Sequence, residues 1–338
     1  MIYFCDAFRH QLINMHHLII LILIATLAFL LSSISAIAQF GLSALPLAII
    51  IGMFFGHFYT GKLDLTAKEV AINKFCQQQL LRVGIILFGF SLSFQQIVAV
   101  GWQAFILDIL IISIVFTTGL YLGIKIFKLD RDVAILTSVG SAICGAAAVL
   151  ATSPVLKAKQ QDIAVAVATV VVFGTIAMFS YPLIYQISGM TEPAFGIYIG
   201  STVHEVAQAI AAAESIGGNA LQNAVVVKLI RVMLLVPFII LLSAILNRQS
   251  SKILIPWFVF GFIIAAAINS FIALPEYLLS TLKIISQFSL AIAMAALGIQ
   301  TKWAVIKCAG LKPILLSFIL LVILLPGGYV LNSLLITL

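Results

Sequence analysis

Of 338 residues, 63% are apolar and 9% charged, and a mean hydropathy of +1.23 excludes a water-soluble globule. The formal charge of +7 is spread over short polar breaks, which argues against nucleic-acid binding and fits the Lys/Arg bias of loops on one side of a membrane. An all-α polytopic membrane protein in a lipid bilayer is predicted, because backbone groups in lipid must be satisfied within each segment and no barrel-type alternation is present.

Apolar runs between polar breaks give eleven segments, at 18–38, 43–59, 80–97, 102–124, 133–156, 162–187, 195–213, 220–246, 254–272, 281–299 and 311–335. They make residues 1–338 one membrane domain, with a first helix in 1–42 outside two repeat regions at 43–187 and 195–338. Arg9 and the triplet Ala36-Ile37-Ala38 outline a cleavable leader. The apolar run between them is longer than a leader's core of roughly 7–15 residues, so an uncleaved helix is predicted. The connection 60–79 has room for one short amphipathic helix. Cys5, Cys76, Cys144 and Cys308 are scattered and predict neither a disulfide framework nor a zinc ribbon.

With the N-terminus inside, the basic loops holding Lys62, Lys68, Lys74 and Arg82, then Lys125, Lys128 and Arg131, then Arg248 and Lys252, then Lys302, Lys307 and Lys312 all fall on the cytoplasmic face. The C-terminus is then periplasmic. Lys157 and Lys159 break this pattern if every segment crosses. Residues 139–155 ("VGSAICGAAAVLATSPV") align without a gap with 199–215 ("IGSTVHEVAQAIAAAES") at an offset of 60, and 87–101 echoes 296–310 at an offset of 209, with Gly52 meeting Gly261. Inverted repeats of this kind are typical of secondary transporters. Two readings of 133–156 and 195–213 stay open. Both are ordinary crossings, or both are broken re-entrant hairpins opening from opposite faces, which returns Lys157 and Lys159 to the cytoplasm.

Ionisable side chains at membrane depth cost about 2.5–3.5 kcal/mol each on insertion scales and so mark function. Lys228 and Arg231 lie three apart on one helix face, and Glu205 is the nearest candidate counter-charge in sequence. Two cations against one carboxylate leave surplus positive charge, which suits a small anion. Gly140-Ser141 and Gly200-Ser201 are read as turns that add free N–H groups from helix N-termini, with Cys144 and Gly145 beside the first. His204 and Gln208, four apart, complete the substrate-binding set, and His204 beside Glu205 could carry protons. Asp108 is placed at the outer headgroups and His57 at the inner side.

His204-Glu205 begins like H-E-x-x-H, but the fifth residue is Gln208, a poor zinc ligand, so no metal or other cofactor is predicted. A Cys144-His204-Glu205 thiol hydrolase is the enzyme alternative, and purely structural buried charges the bland one. A carrier is preferred to an enzyme, and the missing Walker A sequence excludes self-powered ATP hydrolysis. Proton or sodium coupling and homo-oligomer formation are left open.

The strings "GSAICGAAA" (140–148), "HEVAQ" (204–208) and "VVKLIRVMLLVP" (226–237), supported by "LLRVGIILFGFSL" (80–92), resemble the YeiH-type family of conserved bacterial inner-membrane proteins, named as sulfate exporters and placed in the bile acid/arsenite/riboflavin transporter superfamily. The resemblance covers roughly 43–335. It implies about ten or eleven helices, inverted repeats, broken helices near the centre, and sulfate or an organosulfonate as substrate. The expectation is a secondary carrier moving a small anion across the bacterial inner membrane by alternating access.

Overall fold

The computed structural model describes residues 2–34, 43–59, 66–246, 256–272, 274–300 and 310–336. Every regular element among them is helical: α1 Ile2–Ser32, α2 Ala44–Tyr59, α3 Ala67–Phe75, α4 Leu81–Phe88, α5 Phe94–Ala99, α6 Gly101–Tyr121, α7 Arg131–Ala142, α8 Ala146–Leu156, α9 Gln160–Ser188, α10 Glu192–Thr202, α11 Val206–Glu214, α12 Gly218–Ile245, α13 Trp257–Phe271, α14 Glu276–Gln300 and α15 Leu311–Ile336. Five stretches, 101–126, 161–188, 218–245, 276–300 and 311–336, are long and apolar enough to cross a bilayer. The short helix expected in 60–79 is α3, started by a capping box between Thr66 and Glu69. The Ala36-Ile37-Ala38 triplet, Lys62, Arg248, Lys252, Lys302, Lys307 and Cys308 lie outside the described residues, as does most of the second copy of the offset-209 repeat.

Packing divides the chain into two units that cut across the consecutive repeat regions: Met1–Ser93 with Phe260–Lys302, and Phe94–Val259 with Trp303–Leu338. In the first unit α14 is the central helix. Its Ser286 hydroxyl donates to Gly84 O of α4 at 2.7 Å, and its Ala296 O accepts from Gln77 Nε2 at 3.2 Å.

The second unit holds the two interrupted segments, and three sets of contacts fix their direction. Helices α6 and α7 are antiparallel, with Gly123 against Ala134 and Gly119 against Ser138; Leu316 and Leu320 of α15 lie on the same two glycines. Helix α15 therefore starts at the end where α7 starts. Helix α9 runs parallel to α15, since Phe173 faces Phe318 with ring centroids 6.1 Å apart and Tyr329 Oη donates to Ser188 O at 2.7 Å. As only Lys157–Lys159 separate α8 from α9, the pair α7–α8 enters and leaves at one end.

At the opposite end, Asn332 Nδ2 donates to Ala194 O at 3.1 Å, and Glu192 Oε1 accepts from Asn219 N at 2.8 Å and Ala220 N at 3.2 Å. The starts of α10 and α12 are thus neighbours, so α10–α11 also enters and leaves at one end. Both interrupted segments are re-entrant hairpins, one from each face. Helices α7 and α8, of 12 and 11 residues, rise about 16–18 Å, roughly half of a 30 Å hydrocarbon core. Their tip, Ile143–Gly145, lies near mid-membrane.

In the second unit the first end carries Lys125, Lys128, Arg131, Lys157, Lys159 and Lys312; among that unit's described residues the opposite end has no Lys or Arg. The two lysines that were anomalous under eleven crossings belong with the other basic loops. Single cysteines at Lys128 and Lys159, in a background without native cysteines, should react with an impermeant thiol reagent from one side of the membrane, and cysteines at Thr191 and Asn219 only from the other. Opposite-side labelling of positions 128 and 159 would show α7–α8 to be a crossing.

Candidate functional site at the hairpin tips

Each half-helix ending at a tip leaves carbonyls without an intrahelical partner and carries about half a negative charge there. Ile143 and Val203, the C-cap residues of α7 and α10, are equivalent at the offset of 60. Lys228 Nζ on α12 donates to the carbonyls of both, to Val203 O and, at 3.5 Å, to Ile143 O. Arg231, one turn on, donates through one terminal nitrogen to Ser201 O and through the other to Ala142 O. Both side chains are completely buried. Each cation thereby joins the two hairpins, and both helix ends receive the charge their dipoles favour.

This arrangement corrects the sequence reading in three respects. Gly140-Ser141 and Gly200-Ser201 are not N-terminal turns; they sit in the last turns of α7 and α10 and bring carbonyls, not N–H groups, to the centre. The cations do not face Glu205 alone. Arg231 Nε lies 3.8 Å from Asp108 Oδ1, and Asp108, expected at the headgroups, has no exposed surface. Asp108 and Glu205 together balance Lys228 and Arg231, so the surplus positive charge disappears. The missed signal was depth: Asp108 is the only acid in the 26-residue apolar stretch 101–126, seven residues or about 10 Å from its start.

Free N–H groups do reach the centre, at the start of α8. There Glu205 Oε1 accepts from Ala146 N at 3.3 Å, placing a carboxylate of the second tip on the N-terminus of the first hairpin's outgoing helix. Gly145 makes that approach possible, with φ of 73° and a hypothetical Cβ 2.4 Å from Glu205 Cγ. Gln208 is a strut. Its Oε1 accepts from Glu205 N at 3.2 Å, and its Nε2 donates to Val171 O at 3.1 Å and Thr175 Oγ1 at 3.3 Å on α9. Ser201 Oγ donates to Tyr198 O at 3.0 Å.

Cys144, Ser141 and His204 are buried at the tips. Ser141 Oγ and both ring nitrogens of His204 have no hydrogen-bond partner among the described residues. The Cys144–His204 hydrogen bond that a thiol hydrolase needs is therefore not formed. Among the described residues no group of three or more His, Cys, Asp or Glu side chains could hold a metal ion. His57, near the end of α2, stacks edge-on against Phe58 and belongs to the first unit.

Long apolar helices, two re-entrant hairpins and buried paired charges define an all-α multi-pass integral membrane protein. The family model described as Conserved hypothetical protein 698 matches residues 16–317. The chain is 47% identical over 309 residues to the UPF0324 inner membrane protein YeiH of Escherichia coli (strain K12), covering 89% of this chain and 88% of that protein. It is 44% identical over 320 residues to the UPF0324 membrane protein PA5383 of Pseudomonas aeruginosa, covering 90% of each. The YeiH protein of Salmonella typhi is 45% identical over 311 residues, covering 89% of this chain and 88% of that one. The chain belongs to this YeiH-type UPF0324 family. No solved structure matches it.

The geometry makes Asp108, not Glu205, the counter-charge of Arg231. Arg231→Met should destabilise the purified protein by about 3–5 kcal/mol, the range for stranding one member of a buried pair. Adding Asp108→Asn should recover part of the lost melting temperature, whereas adding Glu205→Gln should recover none. Rescue by Glu205→Gln alone would overturn the assignment.

Proposed function

We propose that this protein is a secondary carrier of a small anion, of the sulfate or organosulfonate type, and not an enzyme. The observation that carries the proposal is the meeting of two hairpins from opposite faces at one buried charged centre. Interrupted helices with their ends at mid-membrane are a transporter device, since non-helical backbone is tolerated at that depth only where it is buried or lines a solute path. Alternating access follows naturally when each hairpin is hinged at a different face.

The anion reading rests on what the positive features of the centre already hold. Arg231 faces the Asp108 carboxylate, and the N-terminus of α8 faces the Glu205 carboxylate. A small oxyanion presents the same chemistry and would compete for both places. Glu205 is only half-buried, as is Ala146, and Ala147 beside them is exposed, so this is the least enclosed part of the centre. Lys228 and Arg231 stay in the binding set as cations that also hold the tips together. Gly140, Gly145 and Gly200 shape it, Ser141 and His204 offer polar atoms to it, and Gln208 and Ser201 support it.

The lysine-bearing end of the second unit is cytoplasmic on the positive-inside rule, which puts the C-terminus in the periplasm and, with an odd number of crossings, the N-terminus in the cytoplasm. The names of the Escherichia coli and Salmonella relatives support the inner membrane as its location.

The test is a thermal-stability screen of the purified protein against sulfate, sulfite, taurine, small carboxylates and chloride. At a ligand concentration 100 times Kd, stabilisation of about 2.7 kcal/mol is expected. At least one oxyanion should raise the melting temperature in wild type and not in Arg231→Lys, which keeps the charge but loses the planar fork. No response to any anion would overturn the proposal.

A further inference from the structure

Asp108 is an unusual structural acid. It has no exposed surface, and neither carboxylate oxygen accepts a hydrogen bond from the described residues. Its one ion-pair contact, with Arg231 Nε at 3.8 Å, is longer than a hydrogen bond, and that Nε–H is itself without a hydrogen-bond partner. Its neighbours on α6 include Leu107, Ile111 and Ile112, all buried. A buried carboxylate kept only for stability gains from full hydrogen bonding, and a loosely held one is costly as an ion. Acids of this kind inside membranes mark proton paths. Arg231 has other supports: its terminal nitrogens donate to Ser201 O and Ala142 O whether or not Asp108 is charged.

We propose that Asp108 is the proton-coupling residue of the carrier: ionised, it occupies Arg231 as an internal anion, and it takes up one proton when a solute anion replaces it there. The inference rests on the anion-carrier reading and adds the coupling ion. No bond other than O–H is made or broken. One proton from water enters with one anion and leaves with it, so a singly charged sulfonate group keeps the charge facing Arg231 constant through the cycle, and sulfate makes it more negative by one. The charged groups facing Asp108 are Arg231 and Lys228, both of α12. The other helices packed on α6 carry Arg131 and Asp132 (α7), Glu192 and Tyr198 (α10), and Lys312 and Tyr329 (α15) as their ionisable side chains. Of these, Arg131, Asp132, Glu192 and Lys312 lie in the first turns of their helices.

The sign follows directly. Above the titration of Asp108 an anion must recruit a proton to bind, so affinity falls as pH rises, by about tenfold per pH unit for one linked proton. Sulfate binding to the purified protein, measured between pH 5 and 9, should in wild type be flat below the titration of Asp108 and show this slope above it. In Asp108→Asn, which mimics the protonated acid, binding should be flat within about twofold and at least as tight as the wild-type low-pH limit. At the alkaline end of that range wild type should also take up close to one proton per sulfate bound in weakly buffered solution, a reading that needs no variant to fold. Sulfate binding without proton uptake, or an unchanged slope in Asp108→Asn, would overturn the coupling role and leave the anion carrier intact. Absence of sulfate binding by wild type at every pH would remove the carrier reading for sulfate and this inference together.

Discussion

Two cations on one helix hold the centre of this protein together. Lys228 and Arg231 each reach a carbonyl of the α7 hairpin and a carbonyl of the α10 hairpin. Without them, two helix C-termini with their unsatisfied acceptors would face each other at mid-membrane, where no water compensates them. The cost of burying two cations is offset by four carbonyl acceptors and by Asp108 and Glu205 nearby. This is the sense in which the charges are structural.

The same contacts limit how the hairpins can move. A hairpin anchored at one face and tied at its tip to α12 cannot withdraw without breaking two carbonyl contacts, whereas rotation that keeps one cation in place costs less. Lys228 and Arg231 are one helical turn apart, so the two ties on each hairpin lie side by side. Gln208 adds a third tie, from the second tip to α9. Glu205 and Ala146 tie the two tips to each other.

Much of this was legible in the sequence, because lipid makes the rules strict. Composition alone dictates helices, and the offset of 60 predicts hairpin tips whose residues are equivalent, as Ile143 and Val203 prove to be around Lys228. The lysines at 157 and 159 pointed to re-entrant segments through charge placement. What did not show was polarity along each broken helix. Gly-Ser pairs read equally well as the start or the end of a helix, and only the backbone decides that Gly140-Ser141 and Gly200-Ser201 close α7 and α10. A segment boundary at 102 makes Asp108 look terminal, although about 10 Å of helix lies outside it. Pairing between helices distant in sequence, 108 with 231, has no local signature at all.

The pseudo-symmetry also explains why the tips differ. Gly145 is the offset-60 equivalent of Glu205, and these two residues touch: a Cβ at 145 would lie 2.4 Å from Glu205 Cγ and 3.3 Å from its Oε1. Equivalent positions in contact with each other lie near the local symmetry axis. Two glutamates there would place two carboxylates in one volume, each next to the other's helix N-terminus, and like charges at that distance cannot both stay ionised. Two glycines would leave the N-terminus of α8 without a partner. One glycine and one glutamate satisfy the space and the charge together, so the repeat has to break its symmetry at this pair.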